Sequence, residues 1–239
     1  MSDVDGNRAA RELWSEVKQG IEVKELVLGP YFAHQALRSP RHLLFTLSRY
    51  KFVAKLLPQT RAVDVLELGC GEGLGTVMLA EGGHRVTAVD FDEDAIAHAA
   101  RALAPTGIRF VHDAFLGRRY GAFDAVTSLD VIEHIPQADE QEYVATVARN
   151  LAPHGFCVIG TPNITATPYA SKGSQIGHVN LFDAARLTAL LETVFHRVFV
   201  FGMNDEVVHT GFAPMAHYLM AVGCDQRAVS MSTAGSKER

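Results

Sequence analysis

Apolar and polar residues alternate with helical spacing over the first sixty positions of the chain. Two segments carry this pattern, "AARELWSEVKQGIEVKELV" and, after Pro40, "HLLFTLSRYKFVAKLL". Apolar residues three and four positions apart share one face of a helix, so both segments are predicted to be amphipathic helices. The Gly29-Pro30 pair lies between them and should interrupt the helix. We therefore expect residues 1–60 to form a helical cap that covers part of the remaining chain.

From Val63 onward, short apolar runs alternate with helical segments. This alternation predicts βαβ units and a mainly parallel sheet with helices on both faces. The last apolar run, "APMAHYLMAVG", follows the sixth predicted strand without an intervening helix, so it should return antiparallel. The six earlier strands are predicted at "AVDVLELG", "HRVTAVDF", "GIRFVHD", "FDAVTSLD", "GFCVIGTP" and "HRVFVFGM", with helices near residues 75–81, 93–103, 139–151 and 183–194.

The composition narrows the classes of partner. The 239 residues are 48% hydrophobic and 21% charged, which suits one globular domain with a sizeable core. The net charge of -5 and the absence of a clustered basic stripe argue against a nucleic-acid partner. The start of the chain does not resemble a signal peptide and no apolar run could span a bilayer, so we expect a cytoplasmic protein without a membrane partner. Cys70, Cys157 and Cys224 lack a CxxC spacing, which disfavours a disulfide framework or a zinc site.

The segment "VLELGCGEGLG" places three glycines at the turn between the first predicted strand and the first helix. In open α/β sheets, ligands bind at this turn, beyond the carboxyl ends of the strands. Gly69, Gly71 and Gly73 would let a ligand approach the main chain, although a turn alone could also require them. Their spacing is G-x-G-x-G, because Leu74 stands where a dinucleotide fingerprint has its third glycine.

Acidic residues end the next two predicted strands. Asp90 follows Gly69 by 21 positions, near the offset at which a carboxylate meets ribose hydroxyls. Asp92 is expected to cap the helix that begins near Glu93, which leaves Asp90 free for a ligand. Asp113 ends the third strand and could accept a hydrogen bond from an exocyclic amine, or could be an ordinary turn residue.

These segments together resemble the class I S-adenosylmethionine-dependent methyltransferases. "VLELGCGEG" is similar to their first motif, "VTAVDFD" to their acidic ribose motif and "VHDAF" to their adenine-side motif. "FDAVTSLDVIEHI" resembles the fourth-strand segment of the small-molecule branch, which includes ubiquinone-type O-methyltransferases. The resemblance covers residues 63–220. It implies an α/β, Rossmann-like, seven-stranded, mainly parallel sheet with an antiparallel last strand, which we place at residues 61–223. The composition of the C-terminal residues predicts a flexible tail at residues 224–239.

The resemblance also implies the cofactor S-adenosylmethionine, with S-adenosylhomocysteine as the product, and a set of cofactor contacts. These are Glu67, Gly69, Gly71 and Gly73 around the methionine moiety, Asp90 and the following Phe91 at the ribose, Asp113 and Ala114 at the adenine, and Leu129 and Asp130 near the methyl donor.

Motifs that are missing restrict the methyl acceptor. The Asn/Asp-Pro-Pro-aromatic run of many base methyltransferases is absent, since "SLDVIEH" stands in its place. Protein-arginine enzymes use two glutamates there, and only Glu133 is present. Asp130 and Asn163 occupy places suggestive of a catechol-type metal site, but the adjacent Asp-Asn pair is lacking, so we predict no bound metal. A small-molecule acceptor remains.

Two loops are predicted to meet over the acceptor. The long segment "TPNITATPYASKGSQIGHVNLFD" carries Asn163, Tyr169, His178 and Asn180, and loops of this length commonly bind or cover something. Tyr31, His34, Arg49 and Tyr50 of the cap are expected to close the same pocket, unless their helix simply packs its own apolar face. The second loop, "GMNDEVVHTGF", carries Asp205, Glu206 and His209.

We predict that His178 or His209 is the base that removes the acceptor's proton, with Asp205 or Glu206 orienting it. A solvated hairpin tip is the alternative for the second loop. His134 is more simply explained as a first-turn helix residue packed over the cofactor.

The predicted function is methyl transfer to a small molecule, with O-methylation of a hydroxyl or acid group of a sugar or natural-product-type metabolite favoured. Two alternatives stay open: N-methylation of a small amine, and a module that binds S-adenosylmethionine without turnover. A nicotinamide-dependent oxidoreductase is disfavoured by the glycine spacing.

Overall fold

The computed structural model describes residues 2–23 and 25–227. Its helices are α1 (Ser2–Gln19), α2 (Pro30–Arg38), α3 (Pro40–Leu56), α4 (Glu93–Ala102), α5 (Glu140–Arg149), α6 (Lys172–Gly177) and α7 (Ala184–Leu191). Its strands are β1 (Asp64–Leu68), β2 (Arg85–Asp90), β3 (Arg109–His112), β4 (Phe123–Leu129), β5 (Leu151–Pro162), β6 (Phe195–Asn204), β7 (Val207–His209) and β8 (Tyr218–Gln226).

The strands form one sheet in the order β3-β2-β1-β4-β5-β8-β6-β7. Strands β1 to β5 pair in parallel, whereas β8 is antiparallel to both β5 and β6. The predicted α/β class and the antiparallel last strand are therefore confirmed. The sheet also has a short edge strand, β7, that the sequence did not predict. It pairs with β6 through a tight turn in which Asp205 adopts a left-handed φ of 53°.

The strand order reverses at β1, which pairs with β2 on one side and β4 on the other. In such sheets, the loops that follow the central strands open on one edge, and ligands bind there. The loops after β1, β2, β3 and β4 all leave from this edge because the strands are parallel. They carry the glycine segment, Asp90, Asp113 and Asp130.

Apolar side chains are buried on both faces of the sheet. One face packs against α5 and α7, where Tyr143 and Leu187 are fully buried. The other face packs against α3, whose Val53 joins one cluster with Val65 of β1 and Val158 of β5. Full burial of one such side chain contributes about 1.5–3 kcal/mol. Helix α3 therefore packs as a layer against one face of the sheet, although it is also part of the predicted cap.

The structure differs from the predicted elements in three places. The predicted continuation of the first helix to residue 27 is wrong for the described residues 20–23 and 25–27, since α1 ends at Gln19, where Gly20 and the β-branched Ile21 disfavour continuation. The helix predicted near residues 75–81 is a 3-10 helix, Gly75–Leu79, which ends before Gly82 and Gly83 with their positive φ angles. Strand β8 continues beyond the predicted boundary at residue 223, and the rest of the predicted tail, from residue 228, lies outside the described residues.

Within the described ranges, none of the helices combines the length and the apolar character needed to cross a membrane.

Candidate functional site

The glycine segment forms an open turn at the end of β1. Gly69, Gly71 and Gly73 have φ angles of 85°, 52° and 75°, a region that favours glycine. A Cβ atom on Gly69 would lie 2.3 Å from Cγ2 of Val131, so packing also requires glycine there. A Cβ atom on Gly71 would meet nothing within 4 Å. The turn thus leaves open space over Gly71, where a ligand can approach the backbone.

Asp90 braces this turn from the end of β2. Its Oδ2 accepts a hydrogen bond from the Gly71 N–H at 2.7 Å, and its Oδ1 accepts one from the Asp92 N–H at 2.9 Å. Each carboxylate oxygen can accept a second hydrogen bond, which leaves capacity for a ribose hydroxyl. Asp92 caps α4 as predicted, because its Oδ1 accepts from the Ala95 N–H at 3.0 Å. Phe91, between the two aspartates, is exposed at the same edge.

Glu67 lies buried beneath the glycine segment. Its Oε1 accepts a hydrogen bond from the Tyr50 hydroxyl at 2.7 Å, and its Oε2 has no hydrogen-bond partner among the described residues. Burial raises the pKa of Glu67 to about 7, and the nearby Thr76 and Tyr50 hydroxyls partly oppose this rise. A buried carboxylate oxygen without a partner fits a ligand group that donates hydrogen bonds, as the ammonium group of a methionine moiety does.

Asp113 follows β3, and its backbone N–H donates to the Asp90 carbonyl at 3.0 Å. Its Oδ2 accepts from the Tyr120 hydroxyl at 2.9 Å and lies 3.6 Å from Nε of Arg118. Ala114 is exposed beside it. The structure therefore brings the predicted adenine-side pair next to the predicted ribose residue.

Leu129 ends β4, and Asp130 follows it, between the glycine segment and the cap. Leu129 is buried, and Asp130 has a left-handed φ of 56°, which is uncommon for a residue with a side chain. Arg49 of α3 forms an ion pair with Asp130, and its guanidinium lies 3.8 Å from the ring centroid of Tyr218. The Asp130 N–H donates to the Gly160 carbonyl at 3.0 Å. These contacts connect α3, β4, β5 and β8 at one point.

A cavity of about 1420 Å³ lies between the cap helices and the segment after β5. Five of the residues predicted to contact the acceptor line it: Tyr31, His34, Asn163, Tyr169 and His178. Asn180 does not, because its buried side chain donates to Oε2 of Glu140 at 3.1 Å. Arg49 and Tyr50 also lie outside the lining, held by their contacts to Asp130 and Glu67.

The two predicted bases occupy different environments. His178 lines the cavity, and burial, followed by the neighbouring His134, lowers its pKa. Nε2 of His209 lies 2.7 Å from Oδ1 of Asn204, and Nδ1 of His209 accepts from the Gly211 N–H at 3.2 Å. His209 is therefore bonded within its own hairpin. Among the described residues, the lining of the cavity includes neither His209 nor the exposed Asp205 and Glu206.

Glu72, inside the glycine segment, was not among the predicted site residues. Its carboxylate accepts hydrogen bonds from the Tyr31 N–H at 2.8 Å and the Phe32 N–H at 3.0 Å. The first N–H groups of a helix lack partners within the helix, and Gly29 at the start of α2 supplies no capping side chain. The absence of a capping side chain before α2 is the signal in the sequence that an acceptor from another segment of the chain caps this helix.

In the sequence, Glu133 was noted only as a single glutamate where protein-arginine methyltransferases use two. It is 1% exposed, and burial, with the nearby Asp130 carboxylate, raises its pKa to about 8. Its Oε2 accepts from the Thr161 hydroxyl at 2.9 Å. His134 and His178 lie beside it, and one ligand atom from each of the three side chains falls within 4.8 Å of the others. The sequence predicted no metal, yet these three groups lie close enough together that they could hold a metal ion.

Comparison with known proteins finds similarity over the central part of the chain. Residues 65–155 match the family model of a methyltransferase domain. A probable S-adenosylmethionine-dependent methyltransferase of Mycolicibacterium smegmatis is 37% identical over 131 residues, which are 54% of this chain and 50% of that protein. A ubiquinone biosynthesis O-methyltransferase of Caulobacter sp. is 37% identical over 106 residues, 42% of this chain and 41% of that protein. The chain thus spans about half the length, or less, of these curated relatives.

Solved structures share the fold at low sequence identity. A possible histamine N-methyltransferase of Thermotoga maritima superposes with a TM-score of 0.64 at 16% identity, over 81% of this chain and 93% of that one. The N-methyltransferase NodS of Bradyrhizobium japonicum, in complex with S-adenosyl-L-homocysteine, has a TM-score of 0.57 at 21% identity, over 76% of this chain and 87% of that one. The family match over residues 65–155, the sheet order and the glycine turn all agree with the similarity to S-adenosylmethionine-dependent methyltransferases.

Proposed function

We propose that the chain transfers a methyl group from S-adenosylmethionine to a small molecule held in the cavity between the cap and the segment after β5. One observation carries this proposal: the glycine turn and the cavity share Tyr31. Its backbone N–H is bound by Glu72 of the turn, and the residue itself lines the cavity. A cofactor over the turn and an acceptor in the cavity would therefore be neighbours.

Bound S-adenosylmethionine supplies an already activated methyl group. The protein's task is then mainly to hold and align the two molecules, because alignment alone provides much of the rate of such a reaction. Asp90 has hydrogen-bonding capacity for the ribose, and the open space over Gly71 admits the methionine end. Glu67 provides an unpartnered acceptor for that end's ammonium. Asp130, fixed by Arg49, stands between this region and the cavity.

The cavity favours an uncharged or anionic acceptor over an amine. Among the described residues, its lining contains His34, His42, His178 and His217 but no aspartate or glutamate. An ammonium group would find no counter-charge on these walls, whereas a hydroxyl or acid group would find histidine partners. The volume exceeds the roughly 300–1,000 Å³ of usual ligand sites, so it suits a bulky acceptor. We therefore favour O-methylation, and His178 as the group that faces the acceptor's oxygen.

The expectations of a cytoplasmic protein and of no nucleic-acid partner stay predictions.

A turnover assay with a matched pair of variants tests this function. Release of S-adenosylhomocysteine would be measured with hydroxylated acceptors, with their amine analogues and with the corresponding methyl ethers. Ala166→Trp fills the cavity wall, and Ile176→Trp places the same bulk on an 83% exposed position of the same segment. We expect turnover of hydroxylated acceptors, loss of turnover in Ala166→Trp alone, and unchanged calorimetric binding of S-adenosylhomocysteine in both variants.

Three results would contradict the proposal. Binding of S-adenosylhomocysteine without turnover of any acceptor would indicate a binding module. Turnover of the amines alone would indicate N-methylation. Equal activity of the two tryptophan variants would place the acceptor outside the cavity.

A further inference from the structure

A cluster of three metal-ligating side chains lies beside the acceptor cavity. Glu133 and His134 follow β4, and His178 follows α6. One ligand atom of each lies within 4.8 Å of the other two. Glu133 is almost fully buried, and its Oε1 has no hydrogen-bond partner among the described residues. Burying a carboxylate oxygen without a hydrogen-bond partner costs free energy. A ligand bound by this side chain would offset that cost.

The surrounding contacts hold Glu133 and the segment around His178 together. The Thr161 hydroxyl donates to Oε2 of Glu133 at 2.9 Å, which orients the carboxylate and leaves Oε1 available. The Glu133 carbonyl accepts from the N–H groups of Val179 at 2.8 Å and Asn180 at 3.1 Å. These two bonds fix the chain directly after His178 against Glu133, so the juxtaposition is built by the backbone.

The histidines have nitrogens to offer. Nδ1 of His134 lies 2.9 Å from the Gly177 carbonyl, so Nε2 is the atom left for a ligand. Metal-binding histidines commonly donate their second N–H to a backbone carbonyl in this way. No hydrogen bond to either ring nitrogen of His178 occurs within the described part of the chain, and its ring centroid lies 5.0 Å from that of His134.

We propose that Glu133, His134 and His178 bind one divalent cation of the imidazole-preferring class, of which Zn²⁺ is the representative. Two histidines and one glutamate form a ligand set of catalytic zinc sites, in which a fourth position stays open for water or substrate. Mg²⁺ and Ca²⁺ prefer oxygen ligands and fit this set poorly. Zinc bonds of about 2.0–2.2 Å place ligand atoms roughly 3–4 Å from one another, so a bound cation would draw these three side chains closer together.

The open position of this cation would face the cavity, because His178 is part of the cavity wall. A role in catalysis rests on the proposed function, whereas the site itself does not. A cation held by these residues would act as a Lewis acid, so an acceptor hydroxyl at the open position would release its proton to bulk water and keep the electron pair on its oxygen. His178 would then face the acceptor's oxygen through the cation that it binds, and no histidine base would be required.

A cobalt titration tests the site. Protein treated with EDTA and dialysed would be titrated with Co²⁺, whose visible absorption reports its coordination, and then with Zn²⁺ as competitor. We expect one Co²⁺ per chain, displaced by Zn²⁺. His134→Ala and His178→Ala should weaken binding by more than the roughly 10–100-fold that loss of an outer hydrogen-bond partner costs. His42→Ala and His217→Ala remove cavity histidines outside the cluster and should bind Co²⁺ like the wild-type chain.

Binding of S-adenosylhomocysteine, measured in the same variants, shows that they are folded and separates the two proposals. A wild-type chain that binds S-adenosylhomocysteine but no Co²⁺ would overturn the cation site and leave the proposed function intact. Equal Co²⁺ affinity in wild type, His134→Ala and His178→Ala would also overturn it. Co²⁺ binding that depends on both histidines, in a chain that binds no S-adenosylhomocysteine, would support the site and contradict the proposed function.

Discussion

At the scale of single residues, two glycines distinguish the effect of backbone strain from the effect of blocked ligand access. Gly71 and Gly83 both have left-handed φ angles, 52° and 81°, and a Cβ atom on either meets nothing within 4 Å. Alanine at either position should therefore lower the free energy of unfolding by a similar amount, about 1–2 kcal/mol. Only Gly71→Ala should also weaken S-adenosylhomocysteine binding in calorimetry, because only Gly71 lies at the proposed cofactor site. Equal affinity of the two variants would contradict the proposed cofactor position.

Asp90 and Asp92 form a second matched pair. Asp90→Ala removes a charged acceptor at the proposed ribose position, and loss of such hydrogen bonds should weaken S-adenosylhomocysteine binding by about 1.5–3 kcal/mol. Asp92→Ala removes the cap of α4, which should cost about 0.5–2 kcal/mol of unfolding free energy and leave binding unchanged. Calorimetry and urea unfolding measure the two effects. If Asp92→Ala weakened binding as much as Asp90→Ala, the ribose assignment would fail.

Glu67 should make stability depend on pH. Burial raises the pKa of its carboxyl from 4.5 to about 7 on folding, so the native state holds this proton more tightly than the unfolded chain. The resulting stabilisation is complete below the unfolded pKa and is lost as the pH rises through about 7. Relative to Glu67→Gln, which cannot ionise, the wild-type chain should lose unfolding free energy between about pH 5 and about pH 8. A pH-independent difference between the two in urea unfolding would contradict this prediction.

At the scale of elements, Glu72 couples the glycine turn to the start of α2. Its two hydrogen bonds cap the helix, and loss of a cap costs about 0.5–2 kcal/mol. Glu72→Ala should therefore accelerate hydrogen exchange at the amides of Tyr31 and Phe32 and raise the KM for the acceptor, since Tyr31 lines the cavity. Glu93→Ala removes an exposed first-turn acid from α4 and serves as the control. Unchanged exchange at both amides would show that the cap does not hold α2.

How far the sequence predicts each element depends on where its stability originates. The strands of the sheet centre are continuous apolar runs because both faces are buried, and they were predicted. Strand β7 has three residues and exists only through pairing with β6, so its sequence carries no signal of its own. The sequence of residues 21–27 keeps helical periodicity but follows Gly20, and the pattern alone did not reveal that the helix stops at Gln19.

The same distinction applies to the site. The glycines and Asp90 lie in short motifs, so their joint position followed from the sequence. The cluster of Glu133, His134 and His178 is assembled by the fold, through hydrogen bonds between Glu133 and the chain after His178. The separation of His178 from His209 likewise depends on the short β7 hairpin, which turns His209 toward Asn204.

At the scale of the whole molecule, α3 joins the predicted cap to the core. Tyr50 and Leu57 are buried in the same cluster as Val65 of β1, and Arg49 reaches Asp130 at the end of β4. A chain shortened to residues 61–223 would lose this layer and expose one face of the sheet. We therefore expect the cap and the sheet to unfold as one cooperative unit.

Two adjacent leucines test this expectation. Leu57 is 2% exposed and Leu56 is 38% exposed, so the same substitution removes a core side chain in one case and a surface side chain in the other. Leu57→Ala should lower the free energy of unfolding by about 2–5 kcal/mol. Circular dichroism should show a single unfolding transition, and hydrogen exchange of the β1 amides should report the same loss of stability. The reason is that the space left by the truncated side chain lies between α3 and the sheet. Leu56→Ala should change the free energy of unfolding by less than about 0.5 kcal/mol, because Leu56 loses only surface contacts. If Leu57→Ala instead melted α3 while the β1 amides stayed protected, residues 1–60 would be an independent cap, as the sequence alone suggested.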